Sequence, residues 1–171
     1  MHFGDRYGQL TQMSYITRDM DAAVAHCKTE LGITGFDRSE SEIEVLSFGT
    51  KRKLAVRAAI VNYGLNQFEI IEPVSGATEI YTDEVDLSRH ILNFHHVAIG
   101  VPGDYADWEK LLADVRASGD EFAYLFPAEP DPDSKIAFCY VDTRKRIGHY
   151  TEYLWVHPSL AGMAAAPWLK A

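Results

Sequence analysis

The sequence predicts an α+β fold: two βαβββ modules forming a U-shaped, partly open β-barrel around one site. Three observations predict it. Two strand-then-helix segments, QMSYITRDMDAAVAHCKTELG and HVAIGVPGDYADWEKLLADVRASG, repeat the same pattern in the two halves of the chain. Each is followed by strand-patterned runs. Polar residues interrupt those otherwise apolar strands at matched positions in both halves.

In the first half a strand runs from about Leu10 to Thr17, and Asp19 is placed to cap a helix. Val24, Cys27 and Leu31 space as one helical face, and Gly32 stands where a terminating glycine belongs. KLAVRAAIVNYG and NQFEIIEP then read as strands. The join SGATEIYTDEVDLSRHIL is polar and turn-rich, as a linker between modules should be. In the second half a strand spans about Phe94 to Val101, and Asp104 is the cap. Trp108, Leu111, Leu112 and Val115 form a helix face that ends at Gly119. FPAEPDPDSK, with three prolines, is an extended loop, and SKIAFCYVDTRKRIG and HYTEYLW supply the closing strands. The modules are placed at 1–75 and 93–157, with a linker over 76–92 and a C-terminal tail over 158–171, all within one structural domain.

At 171 residues and 47% hydrophobic content the chain can bury a core of its own. A net charge of −9 argues against nucleic-acid and anionic-membrane partners, and the short basic run Lys51 to Lys53 reads as a solvated strand start. No apolar run approaches the ~20 residues of a membrane span, and MHFGDRYGQL lacks a signal-peptide pattern. Cys27 and Cys139 make neither a disulfide framework nor a thiolate metal site; they read as reduced, packed thiols. A cytoplasmic location is the expectation.

The matched polar residues are Gln12 and His96, 84 positions apart, and Glu69 and Glu152, 83 apart. By strand alternation Leu10, Gln12, Ser14 and Ile16 share a face, as do Phe94, His96, Ala98 and Gly100. Gln67, Glu69 and Ile71 share another, and so do Tyr150, Glu152 and Leu154. A carboxylate buried alone on such a face costs several kcal/mol. A divalent cation between two of them reverses that sign, with imidazole nitrogen and amide oxygen as neutral ligands. By the same alternation His95 points to the opposite face and His149 is out of phase with Glu152. Tyr140 and Tyr153 read as packing residues.

On QMSYITRDMDAAV, VRAAIVNYGLNQFEIIEPVSG, NFHHVAIGV and IGHYTEYL, the chain resembles the vicinal oxygen chelate superfamily over about Gln9 to Trp155. That superfamily includes glyoxalase I, methylmalonyl-CoA epimerase, the bleomycin- and fosfomycin-resistance proteins and extradiol dioxygenases. The resemblance implies a single divalent ion (Zn, Ni, Co, Mn or Fe) held by Gln12, Glu69, His96 and Glu152, the ligand set of zinc-type glyoxalase I. It departs from the epimerase at Arg57, where that enzyme's second carboxylate would be sought, and carries no evident glutathione-carboxylate cluster.

The expected activity is therefore metal-dependent. Two adjacent oxygens of a small oxygenated substrate meet the ion, and a proton moves through an enediolate, as in an isomerase, epimerase or lyase. Glu152 or Glu69 is the base, with Glu152 favoured, and Arg57 and Tyr150 are candidate substrate-binding residues. The alternatives are a metal-free sequestering protein of the bleomycin-resistance type and, third, an Fe(II) dioxygenase. A homodimer is expected, with the apolar tail from Pro158 docking on a neighbour.

Overall fold

The computed structural model describes residues 8–83 and 85–160. Strand β1 (Gln9–Ile16) leads into helix α1 (Met20–His26), which Asp19 caps by accepting from the Ala22 amide. One wide helical turn, Cys27–Leu31, follows and ends at left-handed Gly32. Strands β2 (Asp37–Ser47), β3 (Thr50–Tyr63) and β4 (Asn66–Gly76) complete the first half. After the four-residue helix α2 (Glu79–Thr82), β5 (Asn93–Val101) begins the second half. Helix α3 (Tyr105–Ala117) carries a capping box between Asp104 and Asp107. Then come β6 (Phe122–Phe126), β7 (Ile136–Val141), the short helix α4 (Arg144–Ile147) and β8 (Tyr150–Val156).

Each half is thus βαβββ, as expected. Their strands form one sheet in the order β1-β4-β3-β2-β6-β7-β8-β5, which closes on itself. Closure is the one respect in which the sheet differs from an open U. The seam is short: β2 meets β6 only through Leu46↔Leu125 and Ser47↔Tyr124. Across the ring β1 pairs with β5 along nearly its whole length.

The barrel separates three packing regions. Trp108, Leu111 and Val115 of α3 press on Cys139, Tyr153 and Trp155 from outside. Met20, Ala23 and Cys27 press on Ala59 and Ile70. The interior is filled by Ile16, Val45, Leu54, Ile71, Tyr124 and Tyr140. Ala77 and, in α2, Ile80 and Tyr81 join that interior, so the segment expected to be a polar linker contributes three buried side chains.

Gly76 closes β4 with φ +84°, and a Cβ there would stand 2.2 Å from the Lys53 carbonyl oxygen. Backbone cannot retreat from that contact without breaking the Ala77 amide bond to the same oxygen. Gly76→Ala is expected to lower stability by more than about 1 kcal/mol, read as a shift in urea midpoint at unchanged slope.

Among the described residues no helix is long and apolar enough to cross a membrane. Both cysteines are buried and unpaired with each other. The tail from Ala161 onward, expected to dock on a neighbour, lies outside the described residues.

Candidate functional site

Two rows of residues cross the paired strands at the middle of the barrel. In one, Gln67, Gln12, Ala98 and Glu152 are successive register partners on β4, β1, β5 and β8. In the other the partners are Glu69, Ser14, His96 and Tyr150. Each row sets a small residue between two of the four predicted ligands: Ala98 between Gln12 and Glu152, Ser14 between Glu69 and His96. Ser14 and Ala98 are themselves equivalent in the repeat, 84 positions apart.

Glu69, His96 and Glu152 come together. His96 Nε2 lies 3.3 Å from Glu152 Oε2 and 3.7 Å from Glu69 Oε2. Ser14 Oγ donates to Glu69 Oε2 at 2.5 Å, and Tyr140 reaches His96 Nε2 at 3.3 Å. Gln12 is buried beside them, its amide donating to Gln67 Oε1 at 3.4 Å. All four predicted ligands are buried.

Burial dominates the electrostatics. It pushes the Glu69 carboxyl up to about 7, against the downward pull of His96 and of the Ser14 hydroxyl. It pushes Glu152 up to about 8, with only a hydrogen bond from Tyr140 in opposition. Their neighbours differ: Glu69 has the Ser14 hydroxyl beside it, whereas Glu152 has Ala98, which donates nothing. Burial also lowers His96 to about 4, leaving its imidazole neutral near pH 7.

The fit to a divalent ion rests on these groups. Ligand bonds of about 2.1 Å put neighbouring ligands about 3.0 to 3.4 Å apart, close to the two separations from His96 Nε2. Two carboxylates and a neutral imidazole match a divalent cation in charge and in donor type. As they stand, no three His, Cys, Asp or Glu side chains among the described residues are gathered in full coordination geometry. The donor set fits, and His96 supplies the point of convergence.

The inner face is not reached by simple alternation. Between Leu10↔Ile99 and Gln12↔Ala98 the register slips by one residue, leaving Thr11 as the extra residue of a β-bulge on β1. Between Ser14↔His96 and Tyr15↔Phe94 it slips the other way, making His95 the extra residue on β5. Consequently Leu10 is 51% exposed and Phe94 46% exposed, although both were expected on the inner face. His95, expected on the opposite face, instead sits with His96: their Nδ1 atoms are 2.9 Å apart. A bulge sits beside each of Gln12 and His96.

Of the two candidate substrate residues, Arg57 lies apart from the four predicted ligands and Tyr150 lies beside His95 and His96. Arg57 is held by Glu40 at 2.7 Å and Glu72 at 3.1 Å. It lines a cleft of about 610 Å³ with Arg18, Met20 and Arg38, whose wall includes none of the four predicted ligands. Tyr150 packs against His95 and beneath the Arg144 guanidinium, 4.5 Å from its ring centre. With Arg89, Phe94 and His149 it lines a cavity of about 490 Å³ that reaches the His95 side of the site. His149 turns its Nδ1 to the Tyr150 carbonyl oxygen at 2.7 Å rather than toward Glu152.

Ser14, Tyr140, His95 and Tyr81 are the site residues that sequence reasoning passed over. For Ser14 a signal existed, its equivalence to Ala98; for His95 the bulge concealed one.

No family model matches the chain, and no curated protein sequence matches it. Solved structures do. The methylmalonyl-CoA epimerase of Mycobacterium tuberculosis aligns at a TM-score of 0.59 and 14% identity, over 97% of each chain. A methylmalonyl-CoA epimerase in complex with methylmalonyl-CoA and NH4+ aligns at 0.56 and 18%, over 88% of this chain and 95% of that one. A variant of the Streptomyces coelicolor methylmalonyl-CoA epimerase, in complex with 2-nitronate-propionyl-CoA, aligns at 0.56 and 18%, over 88% and 98%. At these identities the likeness is one of fold.

Proposed function

We propose that this chain, which has the vicinal oxygen chelate fold, is a divalent-metal-dependent enzyme of the glyoxalase and epimerase type. Gln12, Glu69, His96 and Glu152 would hold the ion. The observation that carries this reading is the convergence of His96 Nε2 on two buried carboxyls at 3.3 and 3.7 Å. Acceptor atoms so close need a proton or a cation between them.

Bound there, a divalent ion supplies Lewis acidity that polarises a substrate carbonyl and acidifies the neighbouring C–H. The rest falls to the chain's own side chains. Glu152 is the better proton carrier, because burial lifts its carboxyl to about 8 and Tyr140 alone opposes the shift. Glu69, tethered by Ser14, is the better fixed ligand. Tyr81, Tyr124 and Tyr140 wall the interior and exclude water from the proton being moved. The substrate class is a small carbonyl compound with an ionisable α-C–H, of which methylmalonyl-CoA, bound by a protein of like fold, is one member. Arg57 would serve only a substrate long enough to leave the barrel. A homodimer belongs to the same reading.

The test is direct. Metal-free protein titrated with Zn²⁺, Co²⁺ or Ni²⁺ is expected to take up one ion per chain, and His96→Ala to lose it. Incubated in D₂O with α-acidic carbonyl compounds, the loaded protein is expected to exchange the α-hydrogen, and Glu152→Gln to lose that exchange. No stoichiometric ion, with no gain on reconstitution, would replace this reading by a metal-free binding module.

A further inference from the structure

We infer that His95 is a positioning residue that fixes the tautomer of His96, presenting a bare Nε2 lone pair to Glu69 and Glu152. The purpose of this device rests on the reading of His96 as an ion ligand; its geometry does not.

The chain of bonds starts in α2. His95 Nε2 lies 2.7 Å from the Ile80 carbonyl oxygen. A carbonyl can only accept, so the His95 proton sits on Nε2. The ring is buried against Tyr81, Tyr140 and Tyr150, beside a second imidazole, which keeps it neutral. A neutral ring with its proton on Nε2 offers a lone pair at Nδ1. That atom is 2.9 Å from His96 Nδ1, so His96 must bring the hydrogen to this contact. His96 then has no proton left for Nε2. Tyr140 lies 3.3 Å from the bare nitrogen, its one hydroxyl proton placed between that atom and Glu152.

Left to its surroundings, His96 would choose otherwise. Once ionised, either carboxylate on its Nε2 side would draw the proton there, and an imidazole N–H cannot ligate an ion. His95 overrules that preference, and only because the bulge turns its ring to the inner side. The acceptor it leans on is supplied by structure outside both strands. In α2 the carbonyls of Thr78 and Glu79 accept from later amides of the same turn, whereas the Ile80 carbonyl is the one His95 uses. The Ile80 side chain is buried, which holds that carbonyl in place. The segment between the modules therefore sets the protonation pattern of a residue on β5.

Long-range ¹⁵N–¹H correlation of the imidazole nitrogens in metal-free protein reads the tautomer directly. His96 is expected to carry its proton on Nδ1. His95→Phe keeps the ring packing but removes the acceptor; His96 is expected to move its proton to Nε2, and Zn²⁺ affinity to fall about 10- to 100-fold. His95→Asn, whose Oδ1 stands in the place of Nδ1, is expected to restore both. A wild-type His96 protonated on Nε2, or a His95→Phe variant with an unchanged tautomer, overturns the inference. If the wild-type tautomer is as expected while no ion binds, the metal-dependent reading fails and the positioning role of His95 stands.

Discussion

Replacing both buried glutamates together, Glu69→Gln with Glu152→Gln, is expected to make the metal-free protein more stable at pH 8 and to abolish its binding of a divalent ion. The two effects have one cause. In the folded chain the carboxyls titrate near 7 and 8, against a reference of 4.5. Between those values the native state holds protons that the unfolded chain has released, so each rise in pH weighs against folding. The loss starts near pH 4.5 and is complete for each group once its folded pKa is passed. A tenfold change in an acid's ionisation constant is worth about 1.4 kcal/mol, so the pair costs several kcal/mol by pH 8. Glutamine keeps the shape and has nothing to ionise. The histidines do not blur the comparison. Burial lowers His95 to about 3 and His96 to about 4, so their cost falls on the acid side, below about pH 6.5. Urea midpoints at pH 6.5 and 8, with a chelator present, are the measurement. The wild type should lose stability across that interval and the double variant should not. Parallel curves would mean that the carboxyls are not buried as described.

Much of this site was legible in the sequence because it depends on the repeat. A module that recurs after 84 positions carries its inward-facing residues with it, so Gln12 and His96 identify each other, as do Glu69 and Glu152. The helix caps Asp19 and Asp104 were legible for a local reason, since an N-cap is specified by a side chain and the backbone next to it. What alternation could not deliver were Leu10, Phe94 and His95. A bulge adds one residue to a strand without a distinctive composition, and every residue beyond it changes face. Strand β2 was not delimited for a different reason. Its outward residues include Glu40, Glu42 and Glu44, so its composition reads as a solvated segment, while Val45 and the half-buried Ile43 alone mark the inner face. Closure of the ring depends on that strand reaching β6, which no local pattern states. Helix α2 hid in the same way: among the polar residues of the join, Ile80 and Tyr81 are two apolar letters, and only the packing gives them a place beside His95.

The affinity of the site for a divalent ion is expected to rise with pH along a bent line, steep below pH 7 and level above pH 8. A carboxyl must lose its proton to ligate. Below pH 7 both Glu69 and Glu152 are protonated in the metal-free chain, so binding expels two protons and affinity climbs by up to about 100-fold per pH unit. Between 7 and 8 the pair holds about one proton between them, and the climb falls to about tenfold per pH unit. Above 8 it holds none. The imidazole of His96 contributes no step in this range, because burial has already left it neutral. Calorimetric titration with Co²⁺ in buffers of different ionisation enthalpy counts the protons: about two at pH 6, about one at pH 7.5, and none at pH 9. Single variants divide the count. Glu152→Gln and Glu69→Gln should each lower the release at pH 6 from about two protons to about one. A release of one proton throughout would mean that only one carboxylate enters the coordination sphere. A flat profile would mean that neither does, and that His96 Nε2 and the two carboxyls around it are reconciled by protons alone.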